Sequence, residues 1–376
     1  MRERTIVLSA NSDWNIANFR GGLIRALQAE GYRPVVIAPS DAAAESRMRE
    51  LDVERIRIRI DRSGLNPIAD LGLLRTYRSL LARLRPAAYL GYTIKPNIYG
   101  SLAAASLGIP AIPNVSGLGT AFMKSGPLQQ IVTKLYRVGF RRAPAVFFQN
   151  EEDRSLFVDR KLVRFSQAHV LPGSGVDIER FTPSPMPPGP ATFLFVGRLL
   201  RDKGVVEFVD AARSLRSVVP GSRFQLLGPI DDGNRTAVSR AELDRWIEEG
   251  AVEYLGTTDD VRPQIAGASA VVLPSYREGL PRSLLEAAAM ARPLIASDVP
   301  GCRQVVEDGV NGYLCAARDP ASLAAAMRSL AELPAGQRSA IGQAARRKVQ
   351  EQFSEEFVIR AYLDVIAGLG SAYSVA

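Results

Sequence analysis

The sequence predicts two α/β domains, each built on a doubly wound parallel sheet. Short apolar runs alternate with amphipathic segments through both halves of the chain, and one segment rich in proline and glycine interrupts the alternation. Strands that alternate with helices are typical of parallel sheets. The length of 376 residues fits two domains, since one domain usually takes roughly 100–200 residues.

In the first half, each short apolar run reads as a buried strand of a parallel sheet. The predicted strands are 5–10, 34–39, 56–60, 87–92, 109–115 and 145–150. Residues 15–31 are predicted to form one helix, in which Leu23, Ile24 and Leu27 have helical spacing and Gly31 is the stop signal.

The segment 173–190, GSGVDIERFTPSPMPPGP, holds five prolines and three glycines and has the composition of a linker. We therefore place the first domain at 1–172 and the second at 191–376. The strands predicted in the second domain are 192–198, 223–228, 252–256, 270–274 and 293–297, and a helical end covers 319–368. Ligands bind beyond the carboxyl ends of such strands, and two facing domains predict a cleft between them.

Charge is distributed unevenly between the halves. Residues 1–172 carry 25 Lys/Arg and 14 Asp/Glu, a net +11, whereas 173–376 carry 22 and 25, a net −3. Residues 71–150 contain ten basic residues and no acidic one. Such a surface attracts phosphates, nucleic acid or anionic membranes, although a solvated basic face is an equally good interpretation.

Two further features limit the chemistry. The N-terminus lacks the apolar core of a signal peptide, and no apolar run approaches the ~18–20 residues of a membrane span, so we expect a cytoplasmic protein. Cys302 and Cys315 are expected to be buried apolar side chains, and His169, the single histidine, lies in a strand-like run. No Asp-x-Asp pair is present, so we expect no metal and no cofactor.

The segment 274–286, PSYREGLPRSLLE, combines two carboxylates with a helix start. A strand leads into the loop, Pro281 stands where a helix begins, and the free N–H groups near Arg282 and Ser283 form an anion site. Glu278 precedes this site and Glu286 follows it, which suits a sugar, a diphosphate and a ribose bound in series. The alternative is a surface glutamate and an ordinary helix glutamate.

The segment 195–204, FVGRLLRDKG, places Arg198 and Lys203 in or after a strand-to-helix turn. Both could converge on a phosphate, although basic residues are common after strands. After the first strand, Gly21 and Gly22 permit either close approach of a ligand or tight packing of helix on strand.

A nicotinamide site is not supported. The run SGLGTAF at 116–122 contains Gly117-x-Gly119, but Phe122 replaces the third glycine of the fingerprint. The first strand is followed by Asn-Ser-Asp instead of a glycine-rich turn, and no Walker A sequence occurs.

These motifs resemble those of the family-4 retaining glycosyltransferases of GT-B fold. The span from Glu278 to Glu286 is similar to their Glu-x7-Glu signature, and FVGRLLRDKG is similar to their Gly-Arg-Leu-x-x-x-Lys-Gly turn. Further segments resemble the branch that builds capsular polysaccharides and lipid-linked oligosaccharides: YTIKPNIYG, NVSGLG, FFQNEED, LPGSGVDIERFTP and DVPGCRQVVEDGVNG.

The resemblance implies a metal-independent transfer of a sugar from a nucleotide diphosphate. Arg198 and Lys203 would hold the diphosphate, Glu286 the ribose and Glu278 the sugar. The other implied donor-site residues are Gly21, Gly256, Asp260, Val261, Gly279, Leu280, Pro281, Arg282 and Ser283. It also implies C-terminal helices that return toward the N-terminal domain, and front-face substitution in which the donor phosphate takes the acceptor proton.

The branch implies a UDP-sugar donor, an N-acetylated hexose among the candidates, and a polyprenyl-diphosphate-linked acceptor; nucleic acid is not an expected partner. Acceptor-side residues would be Lys95, Ser116 and Gly117, with Ser116 or backbone groups in place of the histidine that many members use.

The segment 120–148 predicts a basic amphipathic helix for an anionic membrane surface on the inner face of the cell membrane. Its cations are Lys124, Lys134, Arg137, Arg141 and Arg142. A core helix with solvated basic residues is the alternative.

Two other functions fit the same architecture: a sugar-nucleotide 2-epimerase and a non-enzymatic protein that binds nucleotide sugars or glycans. The single histidine argues against the first. The intact set of Arg198, Lys203, Glu278 and Glu286 argues against the second.

Overall fold

The computed structural model describes residues 4–61, 66–116 and 127–372 and divides the chain into two units. The first unit contains the chain up to Ser174 together with the last helix, Glu355–Ala372. The second unit is Gly175–Ser354. Two α/β units are what the alternation of strands and helices predicts.

The first unit contains a seven-stranded sheet whose strand pairs are all parallel. The order is β3-β2-β1-β4-β5-β6-β7, so the winding reverses between β1 and β4. The strands are β1 Thr5–Ser9, β2 Arg33–Ala38, β3 Glu54–Arg57, β4 Ala88–Tyr92, β5 Ala111–Val115, β6 Val146–Phe148 and β7 Ala168–Val170.

Helices cover both faces of this sheet, which explains why its central strands are apolar on both sides. Within β1, Val7 faces one buried cluster while Ile6 and Leu8 face the other. The helices are α1 Asp13–Phe19, α2 Gly21–Ala29, α3 Glu45–Glu50, α4 Pro67–Leu84, α5 Ser101–Ser106, α6 Pro127–Phe140 and α7 Glu151–Asp159.

The prediction of one helix over 15–31 was wrong, because two helices meet at Arg20. The backbone of Arg20 has φ −134° and ψ 8°, outside the helical region, and two glycines follow it. Ser12 caps the first helix by accepting a hydrogen bond from the backbone N–H of Asn15. Helical spacing of apolar residues continues across the break, so periodicity alone does not show it.

The second unit contains a six-stranded parallel sheet of order β10-β9-β8-β11-β12-β13. Its strands are β8 Thr192–Val196, β9 Arg223–Leu227, β10 Glu253–Tyr254, β11 Ala270–Leu273, β12 Leu294–Ser297 and β13 Gly312–Cys315. Its helices are α8 Val205–Leu215, α9 Arg240–Glu248, α10 Arg262–Gly267, α11 Arg282–Ala289, α12 Pro300–Val305, α13 Pro320–Ala331 and α14 Ala335–Gln352.

The last helix, α15 Glu355–Ala372, belongs to the first unit, although the domain boundaries predicted from the sequence place residues 191–376 together. Its buried side chains Val358, Tyr362 and Ile366 pack into an apolar cluster of the first unit. The Asn114 amide donates a hydrogen bond to the Tyr362 hydroxyl at 3.1 Å. The return of the C-terminal helix, implied by the family resemblance, is therefore present.

The proline-rich segment 173–190 is attached to the second unit by Arg292. This side chain is fully buried and donates hydrogen bonds to the carbonyl oxygens of Ser184, Pro185, Ile265 and Ala266 at 2.7–3.0 Å. Burial lowers the pKa of Arg292 to about 10. The part of the segment around Ser184 and Pro185 is therefore fixed to the unit that follows it.

Within the described residues, no helix is long and apolar enough to cross a membrane.

Candidate active site

Two loops that leave neighbouring strands carry the main predicted residues. Strand β8 leads through Arg198 to a 3₁₀ turn, Arg201–Lys203, and β11 leads to the loop that contains Glu278. The two strands pair in parallel, with Val272 beside Phe195, so both loops emerge at the same edge of the sheet.

Gly204 allows these loops to touch. Its φ of +75° lies in the left-handed region, and a Cβ atom at this position would come within 2.1 Å of the Pro274 carbonyl oxygen. The backbone N–H of Tyr276 donates a hydrogen bond to the carbonyl of Asp202 at 2.9 Å. The glycine after the lysine motif is therefore required by close packing of one loop on the other.

Lys203 and Glu278 form a direct ion pair at this edge. Lys203 Nζ lies 2.5 Å from Glu278 Oε1, which also accepts a hydrogen bond from Ser275 Oγ at 2.6 Å. The side chains are 26% and 10% exposed. A half-buried cation and a nearly buried carboxylate thus meet at the edge of the sheet where the two loops emerge.

Arg198 is the more exposed cation of the group, and it pairs with Asp231. The Nη1–Oδ2 distance is 2.7 Å, and Asp231 follows strand β9. Arg201, in the 3₁₀ turn, instead pairs with Glu242. The cations of this segment therefore have different carboxylate partners.

Glu286 and Arg282 lie one turn apart on α11. Arg282 Nε donates to Glu286 Oε1 at 2.7 Å, and both side chains are mostly buried. Pro281 occupies the position before the helix and makes no side-chain cap. Leu280, Ser283 and Gly279 complete this half-buried edge of the loop.

Helix α12 packs against the same loop through Gly301. A Cβ atom at Gly301, in α12, would come within 2.3 Å of the Gly279 carbonyl oxygen and 2.6 Å of that of Glu278. Such distances are far below van der Waals contact, so only glycine fits. The sequence-based prediction did not single out this residue, because nothing local marks its proximity to a loop more than twenty residues away.

Glycines also bring together the loops after β8, β9 and β10. Gly228, with φ +143°, would place a Cβ atom 1.9 Å from the Gly197 carbonyl, and its N–H donates to the Gly256 carbonyl at 2.9 Å. Beside Gly256 there is open space. Asp260 pairs with Arg262 at 2.8 Å, which lowers the pKa of Asp260, and Val261 packs at the start of α10.

The site residues predicted in the first unit lie on different elements of that unit and do not form one cluster among the described residues. Gly21 begins α2 with only ordinary contacts, whereas Gly22 faces the Glu355 carboxylate, which a Cβ atom would approach within 2.5 Å. The close contact of Gly22 is thus with a side chain at the start of α15 and not with a strand of the sheet. Lys95 pairs with Asp70 at 2.8 Å, and Ser116 is exposed after β5. Gly117 lies outside the described residues.

Helix α6 has a buried apolar face and an exposed basic face. Val132, Tyr136 and Phe140 are buried in the core, which is the arrangement of the core-helix alternative. The cations Lys134, Arg137, Arg141 and Arg142 are exposed on or just after the helix, next to the exposed Ile131 and Val138. Lys124 lies outside the described residues.

Cys302 and Cys315 are buried and unpaired with each other, as predicted. His169 is exposed on β7, at the edge of the first sheet. Among residues 4–61, 66–116 and 127–372, no group of three or more His, Cys, Asp or Glu side chains is arranged to hold a metal ion.

Two family models match the chain, one in each unit. The model described as "Glycosyl transferase 4-like domain" matches residues 16–174, and that described as "Glycosyl transferases group 1" matches 190–332.

Two curated relatives match more than two thirds of the chain. The N,N'-diacetylbacillosaminyl-diphospho-undecaprenol alpha-1,3-N-acetylgalactosaminyltransferase of Campylobacter jejuni is 28% identical over 316 residues, 79% of this chain and 81% of the relative. The UDP-Gal:alpha-D-GlcNAc-diphosphoundecaprenol alpha-1,3-galactosyltransferase of Escherichia coli is 26% identical over 271 residues, 68% of this chain and 69% of that one.

A solved structure resembles the whole chain. The crystal structure of a glycosyltransferase from Rickettsia africae matches with a TM-score of 0.79 at 15% identity, over 98% of this chain and 99% of that one. At this identity the similarity concerns the fold, and it extends over both units.

Proposed function

This chain belongs to the group 1 glycosyltransferases, with a GT-B fold and a GT4-like first half. We propose that it transfers a hexose or N-acetylhexosamine from a UDP-sugar to a polyprenyl-diphosphate-linked saccharide. The two relatives support this choice, because their names specify diphospho-undecaprenol acceptors and one names UDP-Gal as donor. The reaction serves surface polysaccharide synthesis and retains the anomeric configuration; both relatives are named for alpha linkages.

The contact between Lys203 and Glu278 carries the proposal for the donor site. Through this contact, the segment with Arg198 and Lys203, which we propose binds phosphate, touches the loop with Glu278, which we propose binds the sugar. Lys203 and Arg198 stabilise the negative charge that develops on the departing diphosphate, since cations fixed beside such charge need no reorganisation during the reaction. Glu278 accepts hydrogen bonds from hydroxyls of the transferred sugar.

The rest of the donor follows helix α11 and the neighbouring loops. First-turn N–H groups of α11, near Arg282 and Ser283, donate to a phosphate, and Glu286 accepts from the ribose hydroxyls. The loop with Gly256, Asp260 and Val261 borders the base, and no atom lies within 4 Å of the position that a Cβ atom on Gly256 would take. Gly21 of the first unit is proposed as a further donor-binding residue.

The chemical step requires no side-chain nucleophile. The acceptor hydroxyl attacks the anomeric carbon on the face from which the diphosphate departs, the bond from that carbon to the diphosphate oxygen breaks, and the phosphate oxygen takes the hydroxyl proton. Ser116, Gly117 and Lys95 are proposed to lie on the acceptor side. The exposed position of His169 on an edge strand supports a mechanism without histidine.

We also propose that the reaction needs no divalent ion, since Arg198, Lys203 and the helix N–H groups supply the positive charge. Activity should persist in excess chelator. A reaction that stops with chelator and resumes with magnesium or manganese would contradict this part of the proposal.

The basic face of α6 supports peripheral attachment to the inner face of the cell membrane. The exposed Lys134, Arg137, Arg141 and Arg142 suit anionic headgroups, and Ile131 and Val138 are exposed beside them. Because Val132, Tyr136 and Phe140 are buried in the core, only these two apolar side chains of the described face are available to the acyl chains. The attachment is therefore mainly electrostatic.

Transfer is supported over the two alternatives. The family and the relatives named above are glycosyltransferases, which argues against a 2-epimerase and against a protein that only binds sugars.

The decisive experiment incubates the protein with a panel of radiolabelled UDP-sugars and undecaprenyl-diphosphate-linked GlcNAc. We expect label in the lipid fraction with one donor, and an alpha linkage by NMR. Release of free epimerised sugar nucleotide, or no labelled lipid with any donor or lipid-linked saccharide acceptor tested, would refute the proposal.

A further inference from the structure

A second side-chain contact joins the two segments that carry Lys203 and Glu278. The hydroxyl of Tyr276, two residues before Glu278, donates a hydrogen bond to Glu207 Oε1 at 2.6 Å. Glu207 lies in the first turn of α8, four residues after Lys203. Neither Tyr276 nor Glu207 is among the residues assigned to the donor, so this contact has no part in the chemistry proposed above.

The backbone of Tyr276 is attached to the same segment. Its N–H donates a hydrogen bond to the carbonyl of Asp202 at 2.9 Å, while its hydroxyl reaches α8. Two attachments at opposite ends of one residue fix both the path of the backbone and the direction of the side chain. Because only Arg277 stands between Tyr276 and Glu278, these attachments also restrict where Glu278 can lie.

Arg318 covers the ring of the same tyrosine. Its guanidinium carbon lies 4.5 Å from the centroid of the Tyr276 ring, a distance at which a cation is attracted to an aromatic face. Arg318 follows β13 and has a φ of +62°, a left-handed conformation that is unfavourable for a residue with a Cβ atom. Strained residues persist where the surrounding structure imposes their conformation. The segments after β8, β11 and β13 therefore all contribute to the surroundings of Tyr276.

The Glu207 carboxylate relies on the tyrosine for its hydrogen bond. Its Oε1 accepts from Tyr276, whereas its Oε2 is buried and has no hydrogen-bond partner among the described residues. Burial, together with the hydrogen bond to Glu207, raises the pKa of Tyr276 to about 12. The hydroxyl therefore keeps its proton near neutral pH and remains a donor to the carboxylate.

We propose that Tyr276 is a positioning residue for Glu278, with Glu207 holding its hydroxyl and Arg318 holding its ring. The assignment rests on the proposed function, in which Glu278 binds the transferred sugar and Lys203 binds phosphate. A bound donor disturbs the ion pair of Lys203 with Glu278, because it engages both side chains. The contact of Tyr276 with Glu207 includes no donor-binding group, so it keeps the loop in place when that ion pair opens.

Substitutions at the two ends of the hydrogen bond test this role through kcat at saturating donor. Tyr276→Phe removes one oxygen and should lower kcat about tenfold, the contribution of one hydrogen bond to a charged group. Glu207→Ala should lower kcat by about the same factor, whereas Glu207→Gln keeps a carbonyl acceptor and should stay within about twofold of wild type. Tyr276→Phe combined with Glu207→Ala should be no slower than either single variant, because all three remove the same contact.

A further double variant addresses folding. Tyr276→Phe leaves the Glu207 carboxylate without its donor, which can destabilise the chain. Tyr276→Phe combined with Glu207→Gln lacks both the hydrogen bond and the charge. It should therefore regain stability in denaturant unfolding and still show the loss of about tenfold in kcat.

Arg318→Gly separates positioning from stability. Glycine adopts a φ of +62° without strain, so relief of the strain should offset the lost contact and the free energy of unfolding should not fall. Loss of the stacked guanidinium should nevertheless lower kcat by about two- to fivefold. A purely structural role for Arg318 predicts that activity follows stability.

Calorimetry provides a readout that does not require transfer. In Tyr276→Phe the affinity for UDP should be unchanged, since α11 and Glu286 bind that part of the donor. The affinity for the UDP-sugar that wild type binds most tightly should fall by up to about tenfold, because Glu278 binds the sugar. The matched control is Tyr313→Phe, which removes the hydroxyl of a half-buried tyrosine on β13 and should change neither affinity.

Three results would overturn the positioning role: near-normal kcat in Tyr276→Phe, equal losses of affinity for UDP and for the UDP-sugar, or a loss in the double variant with Glu207→Ala that equals the product of the single losses. A wild-type chain that transfers no sugar, but whose Tyr276→Phe variant shows the selective loss of UDP-sugar affinity, would refute the proposed function and leave the positioning role in place.

Discussion

Lys203 and Glu278 stand 75 positions apart in the sequence, and Lys203 Nζ donates a hydrogen bond to Glu278 Oε1 over 2.5 Å. The pair depends on the backbone contact of Gly204 with Pro274 and on the hydrogen bond from Ser275. A donor that engages Lys203 through its phosphate and Glu278 through its sugar has to separate these two side chains or bridge them. The ion pair fixes the positions of both side chains in the chain without donor, and under the proposed function it has to rearrange when the donor binds.

Removal of a cation from the donor site should slow transfer. Lys203→Ala or Arg198→Ala is expected to reduce kcat by roughly 10²–10³-fold, as the loss of one group that stabilises transition-state charge does. The matched control is Arg201→Ala, since Arg201 lies in the same turn but pairs with Glu242. Steady-state kinetics at saturating donor measure the effect. Near-normal turnover of the Lys203 variant would remove it from the mechanism.

Substitutions of Glu278 and Glu286 are expected to affect the binding of different parts of the donor. Glu286→Ala is expected to lower the affinity for UDP, because it removes the hydrogen-bond acceptor for the ribose hydroxyls. Glu278→Ala is expected to lower the rate of transfer and to leave the affinity for UDP nearly unchanged. Calorimetry with UDP alone, together with transfer kinetics, distinguishes the two. Glu332→Ala, an exposed glutamate of the same unit, is the control. Equal loss of UDP affinity in both variants contradicts the assignment.

Gly301 is expected to act as a positioning residue for the donor loop. In Gly301→Ala the methyl group meets the carbonyls of Glu278 and Gly279, so the loop has to shift. Since a displacement of about 1 Å at a reacting group can cost ~100-fold in rate, kcat should fall by about that factor. Gly336→Ala, at a position with open space, is the control. If both variants turn over alike, the contact has no functional consequence.

Arg292 is expected to be a determinant of stability. Arg292→Ala removes the guanidinium that donates to the partly buried carbonyl oxygens of Ser184, Pro185 and Ala266, whereas the Ile265 carbonyl keeps the N–H of Ala268 as a donor. At about 1 kcal/mol for each lost hydrogen bond, the free energy of unfolding should fall by ~3 kcal/mol. Arg303→Ala removes only a surface ion pair and should change stability by no more than ~1 kcal/mol. Denaturant unfolding compares the two, and a similar small effect in both would show that water replaces the guanidinium.

Attachment to membranes should depend on α6 and on salt. Each exposed cation near an anionic surface contributes about 1 kcal/mol, so replacing Lys134, Arg137, Arg141 and Arg142 by glutamine should abolish sedimentation with anionic vesicles at low salt. The control changes four exposed arginines of the second unit to glutamine: Arg240, Arg245, Arg303 and Arg328. Equal sedimentation of the two variants would place the contact elsewhere.

Periodicity was sufficient for most of the fold, because strands covered on both faces are short apolar runs that alternate with amphipathic helices. It did not mark β13, a short edge strand at Gly312–Cys315, nor the break at Arg20, where the apolar spacing stays in phase. It also gave no indication that α15 packs on the first unit, since an amphipathic helix does not specify which apolar surface it covers.

The candidate site was predictable where residues follow strands. Arg198, Lys203 and Glu278 were predicted from such positions, because parallel strands bring their exit loops to one edge. Asp231 could have been found in the same way, since it follows the predicted strand 223–228. Gly301 and Ser275 could not, because their roles arise from contacts that only the folded backbone creates.

The backbone N–H of Val176 donates to the carbonyl of Phe353 at 2.9 Å, so the second unit begins and ends at adjacent points. Residues 175–354 are therefore an insertion in the sequence of the other unit, which is discontinuous in the chain. During translation, the whole inserted unit is synthesised before α15. Tyr362 of α15 packs against Phe147 in the core of the first unit, so that core is incomplete until α15 is made. The unit that is first in the sequence is the last to be finished.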